Sequence, residues 1–125
     1  MNWVVRTQEA IEYIEENITD DIDINALVKI MYCSKHDCQR IFSYLTDIPL
    51  YEYIKRRRLT LAGMEIRSGK EKIIDIAVKY GHESHSSFSR SFKEFHVITP
   101  SEARKKPELP LAEYPKFSIY KFMEE

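Results

Sequence analysis

Apolar residues recur at helical spacing along most of this 125-residue chain. Ala10, Ile11, Ile14 and Ile18 repeat every three or four positions, with Glu9, Glu12, Glu15 and Glu16 between them. That predicts an amphipathic helix over roughly residues 5–17. Asp23 is placed to cap a short helix from Ile24 to about Met31. Ser34 is placed to cap a third, whose opening Ser34-Lys35-His36-Asp37 reads as a capping box and whose apolar stripe is Ile41, Phe42 and Leu45. Pro49 ends it, because the residue before a proline is driven out of the helical region. A longer helix follows over 50–68, with Leu59, Ala62 and Ile66 on one face and Gly69 as its stop. Ile73, Ile76 and Ala77 mark a fifth helix, ending at Gly81. Ser84 caps a sixth, with Phe88, Phe92 and Phe95 on the face expected to be buried. Thr99 caps a short last turn with Pro100 in its first position. After Pro107 and Pro110 the pattern changes, and residues 114–122 alternate, which predicts one strand without a partner. The fold class is therefore all-α with a short extended C-terminal tail.

An offset of 50 residues superimposes two segments, bringing Ser34 onto Ser84, Arg40 onto Arg90 and Phe42 onto Phe92. Each copy is a short apolar helix, a tight turn and a serine-capped second helix, the helix-turn-helix pattern. The two units span about 23–46 and 73–95, joined by the helix 50–68. Nineteen residues of helix give a rod of roughly 28 Å. Successive major grooves on one face of DNA lie about 34 Å apart, so two units on one rod are suited to adjacent grooves.

Composition narrows the field less than charge does. Hydrophobic residues make up 43% and charged residues 31%, ordinary values that argue against disorder. No apolar run approaches the roughly 20 residues of a membrane span, and the N-terminus lacks a signal-peptide pattern, so a cytoplasmic location is expected. The formal net charge of −1 conceals a segregation. Residues 1–31 carry −5, residues 32–58 and 59–106 carry +3 each, and residues 107–125 carry −2. A basic middle between acidic ends can present one positive face.

Other chemistry finds little support. There is no Gly-rich phosphate loop, no His-Glu-x-x-His and no Gly-x-Ser-x-Gly, so no catalytic residue and no cofactor are expected. Cys33, His36 and Cys38 lack the paired spacing of a zinc site and a fourth ligand. The two cysteines, read as lying on helix, point apart and are expected to stay reduced.

Arg58-Leu59-x-x-Ala62-x-x-x-Ile66, Ile73-x-x-Ile76-Ala77, the run Gly81 to Lys93 and Thr99-Pro100-Ser101-x-x-Arg104 resemble the signature of the AraC/XylS family of bacterial transcription regulators, in its MarA/SoxS/Rob-like branch. The resemblance covers about residues 5–106. It implies seven helices, two helix-turn-helix units on a linking helix, and binding to double-stranded promoter DNA as a monomer in the bacterial nucleoid, with RNA polymerase as a further partner. Carried over by position, the base readers are His36, Gln39 and Arg40 in the third helix, and Ser86, Ser89 and Arg90 in the sixth. Arginine reads guanine in bidentate fashion and glutamine reads adenine. Lys35, Arg56, Arg57 and Lys93 are the candidate phosphate contacts, and Arg58 matches a family arginine that braces the fold. This chain departs from the family pattern at His82, where phenylalanine is usual, and in its first turn, Met31-Tyr32-Cys33, where glycine is usual. The tail from 107 resembles the linker and first strand of a GyrI-like effector-binding domain. That implies a missing C-terminal domain for a small-molecule effector.

The competing reading is a helical protein-interaction module without sequence preference for DNA. Leu61 points away from the Leu59–Ala62–Ile66 face, which leaves room for an apolar docking spot there.

Overall fold

The computed structural model describes residues 2–119. Among them are seven helices and no strand: α1 (Trp3–Glu16), α2 (Ile24–Met31), α3 (Lys35–Thr46), α4 (Leu50–Ser68), α5 (Ile73–Lys79), α6 (His85–His96) and α7 (Pro100–Lys105). Helix starts follow side-chain chemistry. The Asn2 side chain accepts hydrogen bonds from Val4 N and Val5 N at 3.1 and 3.2 Å, so α1 begins two residues before the periodicity suggests. Asp23 accepts from Asn25 N, Ser34 from Asp37 N and Ser84 from Ser87 N, each at 2.9–3.2 Å. At Ser34 only this half of the expected capping box forms; the full box is at α7, where Thr99 and Glu102 bond reciprocally at 3.1 Å. Each cap satisfies amides that a helix start leaves without a partner.

The chain divides into two compact units. The first is Met1–Ile54 with Lys116–Glu125, of which 2–54 and 116–119 are described. Here α1 packs on both α2 and α3. Ala10, Ile11, Ile14, Leu27, Met31, Cys38, Phe42 and Tyr53 are almost wholly buried, and the Phe42 and Tyr53 rings meet at 5.6 Å. Cys33 lies before the Ser34 cap, in the turn and not on a helix. The helical spacing on which the two thiols were expected to point apart therefore does not apply to Cys33, while the Cys38 Sγ lies 3.3 Å from the Met31 Sδ.

The second unit is Lys55–Pro115. Leu59, Ala62, Ile66, Ile76, Ala77, Tyr80, Phe88, Phe92 and Ala103 form its core. Leu61 packs half-buried against that core, so the outward docking spot expected there does not exist. Phe95 is likewise only half-buried; the core row of α6 runs Phe88, Phe92, His96 at four-residue spacing. Arg104 donates to Ile66 O at 2.9 Å and to Glu71 O at 2.6 Å, and Arg67 donates to Ala103 O at 3.2 Å, which fixes α7 to the end of α4.

The tail after α7 docks onto each unit with its own residues. In the second unit, Ala112 N donates to His96 Nδ1 at 3.0 Å, Tyr114 N to Thr60 Oγ1 at 2.9 Å, and Tyr114 O accepts from Arg57 at 2.7 Å. In the first, Phe117 N donates to the Tyr53 hydroxyl at 3.1 Å and Ile119 N to Gln8 Oε1 at 2.9 Å, while Lys116 pairs with Glu12. These side chains supply partners that a strand ladder would otherwise provide, and residues 114–119 form no strand. Tyr120, Lys121 and Phe122, the rest of the expected alternation, lie outside the described residues.

Candidate nucleic-acid interface

In each unit the serine-capped helix presents its first turns to solvent. On α3, Lys35, His36 and Arg40 are exposed and Gln39 is half-buried. On α6, Ser86, Arg90 and Lys93 are exposed and Ser89 is half-buried. The cause is local. Cys38 and Phe42 on α3, and Phe88 and Phe92 on α6, turn inward, and the residues between them must face out.

The two arginines differ in surroundings. The Arg40 side chain is 74% exposed, and its ion pair with Asp37, at 3.9 Å, is too long to hold it. Arg90 makes no ion pair with a described residue and is also exposed. Beside it, Ser89 Oγ lies 3.4 Å from His85 Nδ1 within α6. Guanidinium groups carried outward on a rigid helix are the donors that base edges and phosphates accept.

The basic run on α4 reads differently once folded. Arg57 is 8% exposed and its guanidinium is committed to the Tyr114 carbonyl. It is a structural anchor for the tail, which corrects its expected role as a phosphate contact. The guanidinium of Arg56 lies over the Tyr114 ring at 5.4 Å from its centre, a cation–π contact. Arg58 is half-buried near the turn of the second unit, its guanidinium 3.8 Å from where a Cβ on Gly81 would stand. Gly81 has φ +87°, which suits glycine there. In the same turn the His82 ring meets Phe88 edge-on at 5.1 Å, filling the place where the family pattern has phenylalanine. Burial, then the nearby charges of Arg58 and Lys55, hold the His82 pKa below the usual histidine value.

His96, which the spacing argument passed over, is buried at 3% exposure. Its Nε2 donates to Leu59 O at 2.8 Å while Nδ1 accepts from Ala112 N, so the ring is neutral with one tautomer. Burial pushes its pKa down; the Leu59 hydrogen bond opposes this and the Arg67 charge reinforces it. Among the described residues no three His, Cys, Asp or Glu side chains gather at one point, and no helix is long and apolar enough to cross a membrane.

Comparison with known proteins places this geometry. Residues 27–106 match the family model described as a helix-turn-helix domain. The regulatory protein SoxS of Salmonella typhimurium is 40% identical over 97 residues, covering 78% of this chain and 91% of SoxS. The HTH-type transcriptional activator AarP of Providencia stuartii is 36% identical over 93 residues, covering 74% of this chain and 69% of AarP. Among solved structures, an AraC-type transcriptional regulator from Chromobacterium violaceum superimposes with a TM-score of 0.75 at 23% identity, covering 85% of this chain and 95% of that one. The C-terminal domain of the response regulator yesN from Fusobacterium nucleatum gives 0.69 at 27% identity, covering 78% and 96%.

Proposed function

The chain belongs to the AraC-type helix-turn-helix family of DNA-binding transcription regulators, and on that premise we propose that α3 and α6 read promoter DNA in adjacent major grooves. The observation that carries this is the paired exposure of Arg40 and Arg90, each six residues after a serine cap and each on a helix whose other face is core. In this reading His36, Gln39 and Arg40 meet bases in one groove, and Ser86, Ser89 and Arg90 in the next. Lys35 and Lys93 neutralise phosphates and fix the register. Arg56 joins them by moving off the Tyr114 ring. The 19-residue α4 is the spacer that the groove repeat requires.

The reading extends to a cytoplasmic, nucleoid-bound protein that contacts RNA polymerase. It also includes an effector-binding domain following the tail. A putative HTH-type regulator, YkgA of Escherichia coli, lends the last point support: it is 34% identical over 113 residues, which are 47% of its length.

The test is selection of duplexes from a random library by the full chain, followed by anisotropy titrations of a selected and a shuffled duplex between 50 and 200 mM salt. The expected result is a site with two half-sites about one helical turn apart, bound at least about 1,000-fold more tightly than the shuffled duplex. Equal affinity for both duplexes would refute base reading.

A further inference from the structure

The first unit carries a surface cleft of about 450 Å³, lined by Trp3, Arg40, Ile41, Tyr44 and Leu45. Four of the five stand on α3 as two adjacent i, i+4 pairs, Arg40 with Tyr44 and Ile41 with Leu45. Trp3 opens α1, which packs on α3. The fully buried row of α1 begins one turn later, at Thr7. Beside that first turn α3 stays open: Ile41 and Leu45 are only half-buried, Trp3 is 36% exposed and Tyr44 87%.

We propose that this cleft binds a small aromatic carboxylate, its rings among Trp3, Ile41, Tyr44 and Leu45 and its carboxylate on the Arg40 guanidinium. The volume suits a compact organic ligand, since such sites run from about 300 to 1,000 Å³. Two aromatic and two branched aliphatic side chains favour a flat apolar body, and ring-on-ring contacts add attraction beyond the area they cover. Among the lining residues Arg40 alone is charged, so the site takes one acidic group and not a run of them. A guanidinium donates two parallel N–H···O bonds to a carboxylate. Asp37, at 3.9 Å, is beyond hydrogen-bond reach of Arg40 and leaves those donors to an incoming anion. A phosphate of the DNA backbone can meet the same guanidinium, but it has no apolar body to fill the cleft.

In the DNA reading above, Arg40 reaches a base edge from α3. A carboxylate on the same guanidinium withholds it from DNA, so ligand and promoter compete. This coupling rests on that reading, whereas binding to the cleft does not. The competition is reciprocal: the factor by which the ligand weakens DNA binding is the factor by which DNA weakens ligand binding. The cleft lies within the first unit, apart from the effector-binding domain expected beyond the tail.

The experiment uses the full chain, with 2-naphthoate as the probe. Trp3 is the chain's one tryptophan, so its indole N–H gives a single assigned signal in a proton–nitrogen correlation spectrum. That signal should shift saturably, with a Kd of about 0.1–1 mM. The neutral 2-naphthamide should bind the parent about 10-fold more weakly, and 2-naphthoate should bind Arg40→Gln about 10-fold more weakly, because each change removes the charge-assisted pair. Lys29→Gln, which removes an exposed charge of α2 that does not line the cleft, should leave the Kd unchanged. Far-UV circular dichroism should match the parent for both variants. An indole signal unmoved at about 5 mM 2-naphthoate, equal affinity for the acid and the amide, or an undiminished response in Arg40→Gln would each overturn the proposal. In a separate titration, saturating 2-naphthoate should weaken binding of a selected duplex by about 10-fold. Uptake of 2-naphthoate without that competition would leave the cleft standing and refute base reading by Arg40.

Discussion

Acidification should loosen the second unit through a single ring. His96 is neutral in the fold, with Nε2 donating to Leu59 O at 2.8 Å and Nδ1 accepting from Ala112 N at 3.0 Å. A second proton can only go onto Nδ1, where it displaces the Ala112 amide and puts a charge in a site 3% exposed. The folded pKa is therefore depressed, while the unfolded chain keeps a value of about 6.5. Between the two values the unfolded state binds more protons, so stability falls as pH drops. It is complete above about 6.5, declines by up to about 1.4 kcal/mol per pH unit below that, and levels off only beneath the folded pKa. By pH 5.5 the loss from His96 should be at most about 1.4 kcal/mol. His82 is shifted the same way, but it is only half-buried and adds less. Glu12, Glu65 and Glu102 have depressed values and act in a separate window, below about 4.5. The assay is urea unfolding followed by far-UV circular dichroism at pH 7.5, 6.5 and 5.5, for the parent and His96→Gln. The variant should start less stable and show a shallower pH slope. Equal slopes for the two proteins, or a parent that gains stability at pH 5.5, would refute the argument.

Other expectations follow from the same contacts. Arg40→Ala and Arg90→Ala should each cost about 1–3 kcal/mol of DNA affinity and relax preference at one base position only, measured on a panel of single-substituted sites. Lys93→Ala should weaken all duplexes alike and reduce the slope of log K against log salt by about one. Arg57→Ala should leave that slope unchanged but lower stability by about 1.5–3 kcal/mol, because a charged donor to the buried-side Tyr114 carbonyl is lost. Gly63→Ala should destabilise by about 1–2 kcal/mol in chemical denaturation, although alanine normally gains about 1 kcal/mol in a helix. The added Cβ would stand 2.9 Å from His96 Nε2 and 3.3 Å from Leu111, and overpacking of that kind outweighs the gain.

Helix order and most helix starts were legible because they depend on neighbours in sequence. Ser34, Ser84, Asp23 and Thr99 cap within three residues, and the core stripes repeat at three and four. Two misreadings had a signal that spacing could have supplied. His96 continues the row Phe88, Phe92 at four-residue steps, and Arg57 stands four after Tyr53 and three after Ile54, on the buried side of α4. Polarity masked both, since a histidine with two partners and an arginine with a carbonyl can occupy core positions. The docking of the tail had no local signal. Its bonds join Gln8 to Ile119 and Thr60 to Tyr114, and nothing in either neighbourhood announces the other. The placing of Cys33 in a turn depended on the backbone sign at Tyr32, which a non-glycine residue does not advertise. How far the exposed residues of α3 and α6 are base readers was suggested by family likeness and outward placement, not by periodicity alone.

The anchoring of residues 107–115 bears on how the protein should be cut and fused. The family match stops at residue 106, and a designer trimming there would amputate the partners of Arg57, Thr60 and His96. An expression boundary placed beyond Ile119 keeps all three satisfied, and a tag or fused domain is better hung there than at the close of the last helix.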